Sequence, residues 1–163
     1  MEIERKWWVR TMPDLTNHTP LRDERYYLYA DNDISLRFQK RGDKFELERM
    51  EKVADLTRKQ EKLFISKNEF EALTKIAKGP IIRDSFLLQD ANPQITLKVY
   101  DGPFKGLERI EVEFGSLEEA KTFSPPDWFG PEMTDSVLAS DSKLVNMTRD
   151  EFIAVLFKEN PRF

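Results

Sequence analysis

The feature of this sequence that most restricts its fold is strict two-residue alternation of apolar and polar side chains, repeated in eight short runs. Successive side chains of an extended strand point to opposite faces, so each run predicts a half-buried strand with one apolar and one polar face. The runs are Glu2–Val9, Arg25–Ala30, Ile34–Lys40, Lys44–Lys52, Arg58–Ile65, Ile82–Leu88, Gln94–Tyr100 and Leu107–Phe114. The chain is therefore expected to be built on an antiparallel sheet.

Turn formers separate two pairs of these runs. Arg41-Gly42-Asp43 lies between the third and fourth runs, and Asp101-Gly102-Pro103 lies between the seventh and eighth. Both segments predict hairpins, because Gly, Asp and Pro favour tight turns. We interpret Pro13–Arg22 and Pro125–Pro131 as surface connections, and no linker divides the chain, so residues 1–163 are expected to form a single domain.

Three helices are predicted between or after the strands. Each begins with a Ser or Thr cap followed by an acidic third residue and an apolar stripe, which is a helix start signal. The three caps are Ser66, Ser116 and Thr148. Because the strands also have one apolar face each, the simplest assembly places these helices on the outside of a curved antiparallel sheet.

Composition excludes several classes of protein. Aromatic residues make up 12% of the chain, too many for a disordered tail, and the net charge of −4 argues against a generic nucleic-acid binder. The absence of cysteine excludes a disulfide framework, a thiolate nucleophile and a cysteine-based metal site. No apolar run approaches the roughly 20 residues of a membrane span, and no signal peptide is evident. We therefore expect a soluble, cytoplasmic protein with no membrane or nucleic-acid partner.

The polar faces of the strands are densely charged. Glu2, Glu4 and Lys6 share one face of the first strand because they are two residues apart. The same phase, carried through the other strands, collects six acids and eight bases on one face. They are Glu2, Glu4, Glu46, Glu48, Glu111 and Glu113, with Lys6, Arg37, Lys52, Arg58, Lys62, Arg83, Lys98 and Arg109. This face therefore has a surplus of two positive charges in a chain of net negative charge.

Two arrangements account for such a face. In the first, the charged side looks into water while the apolar side packs on helices, as one-sided antiparallel sheets often do. In the second, the eight strands close into a barrel with the charges inside, which leaves room for one small ligand. Buried charges are costly unless they are paired or meet a ligand, so the second arrangement predicts a functional site.

Particular motifs bear on this choice. The opening Glu2-Ile3-Glu4-Arg5-Lys6 resembles the ExExK signature of the CYTH family, also called triphosphate tunnel metalloenzymes. Glu111-Val112-Glu113-Phe114 and Pro125-Pro126-Asp127-Trp128-Phe129-Gly130 are similar to the second half of that family. The resemblance runs from residue 1 to about Val145. It implies an α+β fold, an eight-stranded antiparallel closed β-barrel, or tunnel, with helices packed on the outside.

The resemblance also implies a function and a set of site residues. Inward cations would hold a triphosphate, with Arg presenting a planar fork to phosphate oxygens. The substrate-binding residues would be Lys6, Arg37, Lys52, Arg58, Arg83 and Arg109. Glu4, Glu111 and Glu113 would be catalytic as ligands of Mg²⁺ or Mn²⁺, with Glu2 beside them as a further metal ligand. The implied activity is metal-dependent hydrolysis of a triphosphate-containing small molecule.

Several positions depart from the family pattern. They are Gln39, Met50, Gln60, Lys62, Ser85 and Lys98, where the family more often has Arg, Lys, Glu, Glu, Arg and an acid, respectively. The family tends to carry a base on the fourth strand and acids on the fifth and seventh, where this chain has Glu46 and Glu48, Lys62 and Lys98, which is an exchange of sign. We therefore predict that Glu46 or Glu48 pairs with Lys62 or Lys98 across the lumen. The departures bear on catalysis, so the alternatives are a weakened module that binds polyphosphate or a nucleotide, and a class IV-type adenylate cyclase. Tripolyphosphate, thiamine triphosphate and nucleotides all remain candidate substrates.

Overall fold

The computed structural model describes all 163 residues and contains nine β-strands and four α-helices. The strands are β1 (Glu2–Val9), β2 (Leu21–Ala30), β3 (Ile34–Arg41), β4 (Lys44–Ala54), β5 (Thr57–Phe64), β6 (Lys78–Gln89), β7 (Gln94–Asp101), β8 (Glu108–Glu113) and β9 (Phe129–Glu132). The helices are α1 (Lys67–Thr74), α2 (Leu117–Thr122), α3 (Asp141–Leu144) and α4 (Arg149–Glu159). None of these helices is long and apolar enough to span a lipid bilayer.

Eight strands form a closed antiparallel barrel, which confirms the predicted fold class. Hydrogen-bonded neighbours follow the order β5-β4-β3-β2-β6-β7-β8-β1, and β1 returns to β5. Closure depends on Glu2 opposite Arg58 and Ile3 opposite Thr57. The barrel also decides between the two arrangements, because the charged faces of its strands line an internal cavity.

Strand β9 continues the sheet where β5 leaves β1. Trp7 of β1 pairs with Glu132, and Val9 pairs with Phe129. The interpretation of Pro125–Pro131 as a surface connection only is therefore wrong at its last residues. This four-residue strand contains Gly and Pro and has no alternation, so its pairing depends on tertiary contact, with the Phe129 ring 5.4 Å from that of Trp7.

Helices α1 and α2 pack on the outer apolar face of the barrel, as predicted. Phe70 of α1 is buried against the aromatic rings of Tyr26, Phe38 and Phe45. Ala120 of α2 belongs to a cluster that covers the outward side chains of β1, β7 and β8. The predicted caps are also confirmed, because Ser66, Ser116 and Thr148 each accept a hydrogen bond from the third helical N–H.

Helix α4 covers one end of the barrel. Its Phe152 and Leu156 pack in the larger core cluster with Trp8, Tyr27 and Tyr100. These three aromatic residues have the inward phase of β1, β2 and β7, since each follows the charged inward positions of its strand by two residues. The apolar cluster therefore fills this end of the barrel interior and leaves the charged part of the interior open from the other end.

Candidate active site in the barrel lumen

The charged part of the barrel interior is a cavity of about 230 Å³, called the lumen here. Only two of its 23 lining residues are hydrophobic, so it does not suit an apolar ligand. The charged lining consists of nine bases, Lys6, Arg25, Arg37, Arg41, Arg58, Lys62, Arg83, Lys98 and Arg109, and six acids, Glu2, Glu4, Glu48, Glu111, Glu113 and Asp141. The surplus of three positive charges indicates an anion-binding site.

Lys52 is the candidate site residue that the structure places elsewhere. It is exposed near the end of β4, where the register with β5 shifts beyond Lys52, and it lines a second cavity of about 260 Å³. Glu4, Lys6 and Arg58 line both cavities, so the two cavities adjoin along these residues. Lys52 therefore lies in the adjoining cavity and not among the cations of the lumen wall.

Four glutamates lie side by side on the neighbouring strands β1 and β8, and this set, Glu2, Glu4, Glu111 and Glu113, is called the glutamate face. Glu4 is directly opposite Glu113, and Lys6 is directly opposite Glu111. Such cross-strand neighbours have Cβ atoms about 5 Å apart. The sequence of β1 and β8 thus brings the predicted metal ligands together on one wall of the lumen.

The four glutamates differ in their partners. Glu4 forms an ion pair of 3.3 Å with Lys6, and Glu111 accepts hydrogen bonds from the guanidinium group of Arg109 at 2.6 and 2.9 Å. Burial alone would raise the pKa of Glu111. The positive charges of Arg109 and then Lys6 instead hold this pKa well below its usual range. Glu2 and Glu113 have no cationic partner, and burial followed by repulsion from Glu4 raises the pKa of each.

The glutamate face fits a hard divalent cation by its donor set. Mg²⁺ and Mn²⁺ prefer carboxylate oxygens and keep some of their waters, so one or two protein carboxylates suffice to bind them. A cation here would relieve the mutual repulsion that raises the pKa values of Glu2 and Glu113. In the structure no three such groups lie close enough to chelate a metal together. Glu4 and Glu111 are engaged by Lys6 and Arg109, respectively.

The wall formed by β3, β4 and β5 carries the exchanged charges. Glu48 is 1% exposed and accepts hydrogen bonds from Arg37 at 2.9 Å and from Gln39 at 2.8 Å. Lys62 lies 3.5 Å from a carboxylate oxygen of Glu48 and the same distance from Glu46. The predicted pairing of Glu46 or Glu48 with Lys62 is confirmed, but it joins neighbouring strands, with Glu48 directly opposite Lys62, and does not cross the lumen as predicted. The fully buried Gln39 amide, standing in place of a second arginine, bridges the two carboxylates.

Lys98 does not take part in that pairing. Its ammonium group instead donates a hydrogen bond to the Ser85 hydroxyl at 2.8 Å and has no carboxylate partner within ion-pair distance. Burial, and then the positive charge of Arg83, lowers the pKa of Lys98 to about 7. Of the two predicted partners, Lys62 therefore makes the pairing and Lys98 does not, and Lys98 has no acid within ion-pair distance.

Sequence analysis missed a second group of lumen residues. Arg25, Tyr27 and Arg41 line the cavity, and Asp23 is buried beside it, bonded to Arg41 and Arg83. The alternation of Asp23, Arg25 and Tyr27 along β2 is the available signal. The interpretation of Pro13–Arg22 as a surface connection is wrong at its end, because Leu21 and Arg22 already belong to this strand.

Asp141 had no such signal. It follows β9 in a segment of short turns without alternation, and tertiary packing alone brings its carboxylate to the lumen.

Comparison with known proteins agrees with this geometry. No family model matches the sequence. An inorganic triphosphatase of Nitrosomonas europaea is 34% identical over 138 residues, covering 82% of this chain and 89% of the relative. The crystal structure of the inorganic triphosphatase NE1496 aligns with a TM-score of 0.64 and 28% identity, covering 91% of this chain and 96% of that one.

A conserved hypothetical protein from Pyrococcus furiosus shares the fold. Its structure aligns with a TM-score of 0.55 and 15% identity, covering 74% of this chain and 84% of that chain. At this identity the match supports the barrel architecture and nothing finer. The Nitrosomonas relative is closer in sequence, and the alignment with it spans most of both chains. The chain therefore belongs to the family of this inorganic triphosphatase.

Proposed function

We propose that this protein hydrolyses inorganic triphosphate in the barrel lumen, as a cytoplasmic enzyme of the CYTH, or triphosphate tunnel, type. One observation carries the proposal: nine basic side chains surround a cavity of about 230 Å³ in a chain whose net charge is −4. A triphosphate carries about four negative charges and needs several fixed cations around it. The relative from Nitrosomonas europaea, an inorganic triphosphatase, supports the same activity.

The basic residues bind and orient the phosphate chain in this proposal. Arg37, Arg83 and Arg109 are held by ion pairs in fixed positions on the lumen wall, so their remaining N–H donors are preorganised for phosphate oxygens. Lys6 and Arg58 line both the lumen and the second cavity, so they contact the anion where the two cavities adjoin. Lys52, exposed in the second cavity, adds positive charge that attracts the anion towards the lumen.

The glutamate face holds a divalent cation, Mg²⁺ or Mn²⁺, in this proposal. Glu4, Glu111 and Glu113 would be its ligands, and Glu2 is beside them. A bound divalent cation neutralises phosphate charge and lowers the pKa of a water that attacks phosphorus. Lys6 and Arg109 pair with Glu4 and Glu111 and so hold both carboxylates in the ionised form that a cation would require.

One observation favours a second candidate, a module that binds polyphosphate or a nucleotide without hydrolysing it. Glu4 and Glu111, two of the proposed metal ligands, are already engaged by Lys6 and Arg109. No three acids lie close enough to hold a metal together, so the lumen has cations for an anion without an assembled site for the metal that hydrolysis needs. Both candidates bind a phosphate chain in the lumen, and they differ in turnover.

Phosphate release separates the two candidates. The purified protein is incubated with tripolyphosphate, thiamine triphosphate or ATP in Mg²⁺, in Mn²⁺ and in EDTA. We expect tripolyphosphate to be cleaved fastest to pyrophosphate and phosphate, and only with a divalent cation. Glu4→Gln should abolish phosphate release. Glu132→Gln removes a carboxylate of β9 that pairs with Arg5, and this control should retain phosphate release. If no phosphate is released from any triphosphate with either metal, the hydrolysis proposal is contradicted and the binding module is the remaining candidate.

A further inference from the structure

The segment Leu138–Asp141 closes the inner end of the lumen with hydrogen-bond acceptors. The carbonyl oxygen of Ala139 accepts from the Lys6 ammonium group at 2.7 Å, and that of Leu138 accepts from the Arg109 guanidinium group at 3.1 Å. Asp141 adds a full negative charge at the end of the same segment. This segment thus presents to the basic wall the kind of oxygen atoms that an anionic ligand would present.

The Asp141 carboxylate is surrounded by donors. One oxygen accepts from the Tyr100 hydroxyl at 2.5 Å and lies 3.4 Å from Arg109. The other oxygen lies 2.8 Å from Arg25 and 2.9 Å from Arg83. The side chain is only 2% exposed, yet it borders the lumen. Three guanidinium groups and a phenol therefore converge on a single buried carboxylate.

This donor set is the one that protein sites use for a phosphate group. Guanidinium groups bind phosphate and carboxylate oxygens with the same planar fork, and a hydroxyl completes the shell. One carboxylate balances only one of the three arginines, although Asp23 and Glu111 also pair with Arg83 and Arg109, respectively. We propose that Asp141 is a built-in anion that occupies the innermost phosphate subsite of the lumen and so excludes a further phosphate group from it.

The carboxylate cannot simply move aside for a substrate. Its departure would leave three buried arginines without their shared partner, and breaking buried ion pairs in this way is strongly destabilising. Burial alone would raise the pKa of Asp141. The surrounding guanidinium groups instead hold this pKa well below its usual range, so the carboxylate stays charged. Asp141 thereby determines how many phosphate groups the lumen accepts, a specificity that rests on the proposed function of the lumen as a phosphate site.

The test uses inorganic sulfate, a single tetrahedral dianion, in EDTA, so that neither metal nor turnover contributes. Asp141→Asn removes the charge that holds the three guanidinium groups, so the neutral side chain can yield the subsite to a sulfate ion. We expect calorimetry to give a sulfate dissociation constant about tenfold lower in this variant than in the wild type, because the three guanidinium groups then lack their shared anion. Asp141→Glu retains the competing charge and should bind sulfate as weakly as the wild type.

Asp23→Asn is the matched control. Asp23 is also a buried carboxylate bonded to Arg83, but it does not line the cavity, so its loss should not open a subsite. If Asp141→Asn binds sulfate no tighter than the wild type, or if Asp23→Asn gains equally, the proposal is overturned. If Asp141→Asn does not fold in plain buffer, sulfate should restore cooperative melting while chloride at matched ionic strength does not, and failure of this rescue also overturns it.

The outcome is separable from that of the proposed function. Wild-type phosphate release without any sulfate gain in Asp141→Asn would retain the hydrolase and reject the built-in anion. Tighter sulfate binding by Asp141→Asn, together with no phosphate release by the wild type, would retain the built-in anion and reject the hydrolase. Because sulfate binding is measured without metal or turnover, each result bears on one of the two proposals.

Discussion

Glu48 is the residue whose replacement tests the charge exchange of the lumen most directly. Its carboxylate is buried at the centre of one wall, where Arg37, Gln39 and Lys62 all approach it. Glu48→Gln preserves the shape of the side chain and removes its charge. We expect this variant to fold with a large loss in the free energy of unfolding, since Arg37 then remains buried without its anion.

The structure sets the size of this loss. The Glu48 side chain is 0% exposed and that of Arg37 is 12% exposed, so water screens their 2.8 Å ion pair little. Removing one partner of a buried pair costs about 3–5 kcal/mol, and the glutamine keeps one acceptor, which places Glu48→Gln near 3 kcal/mol. The Lys62 side chain is 32% exposed and can turn into solvent, so Lys62→Gln should cost less than about 1 kcal/mol.

Urea denaturation measures both values, and the denaturant slope should stay unchanged. In a thermal melt, 3 kcal/mol corresponds to a Tm lower by about 6–12 °C for a chain of this length. The double variant Arg37→Gln/Glu48→Gln should lose clearly less than the sum of its single variants, because the two side chains contact each other. A cost below about 1 kcal/mol for Glu48→Gln, or additive losses in the cycle, would refute the argument that pairing stabilises this interior.

Further predictions address activity and pH. Glu4→Gln and Glu111→Gln should abolish phosphate release while retaining a cooperative melt, and full release at saturating metal would contradict their role as ligands. Lys6→Ala and Arg37→Ala should raise KM and weaken its dependence on salt. Tripolyphosphate in EDTA should raise the Tm, because a ligand at a hundred times its Kd stabilises the folded state by about 2.7 kcal/mol. An unchanged melting curve would contradict binding. Because burial lowers the pKa of Lys98 from 10.5 to about 7, the unfolded chain binds more protons between these values, so stability in EDTA should rise more steeply over this window in the wild type than in Lys98→Met.

The barrel wall could be predicted from the sequence because the alternation of apolar and polar residues within each strand indicates which side chains lie on its apolar face and which lie on its charged face. In β1, the alternation of Glu4, Lys6 and Trp8 with Arg5 and Trp7 fixes which side chains share a face before any tertiary contact exists. The helix caps are equally local, since Ser66 contacts Glu69 within one turn. Periodicity, however, left open whether the charged face met water or an enclosed lumen.

The closing elements of the barrel could not be predicted in the same way. Strand β9 and the segment around Asp141 have no period, so their positions are fixed by side chains far away in sequence. Helix α4 has a predictable start at Thr148, but its apolar stripe does not reveal that its partners are Trp8 and Tyr100 at the end of the barrel. Their placement depends on packing around a cavity that exists only after the strands have closed.

The lumen combines two requirements that normally oppose each other. A phosphate site needs uncompensated cations, whereas a buried interior needs each charge to be paired. In this protein the two requirements are met in different places. Acids neutralise most of the arginines, while Arg58 and Lys98 have no acid within ion-pair distance and retain the capacity to meet an anion. An exchange of sign, such as Lys62 facing Glu48, therefore keeps the wall stable without removing the positive charge that the ligand requires.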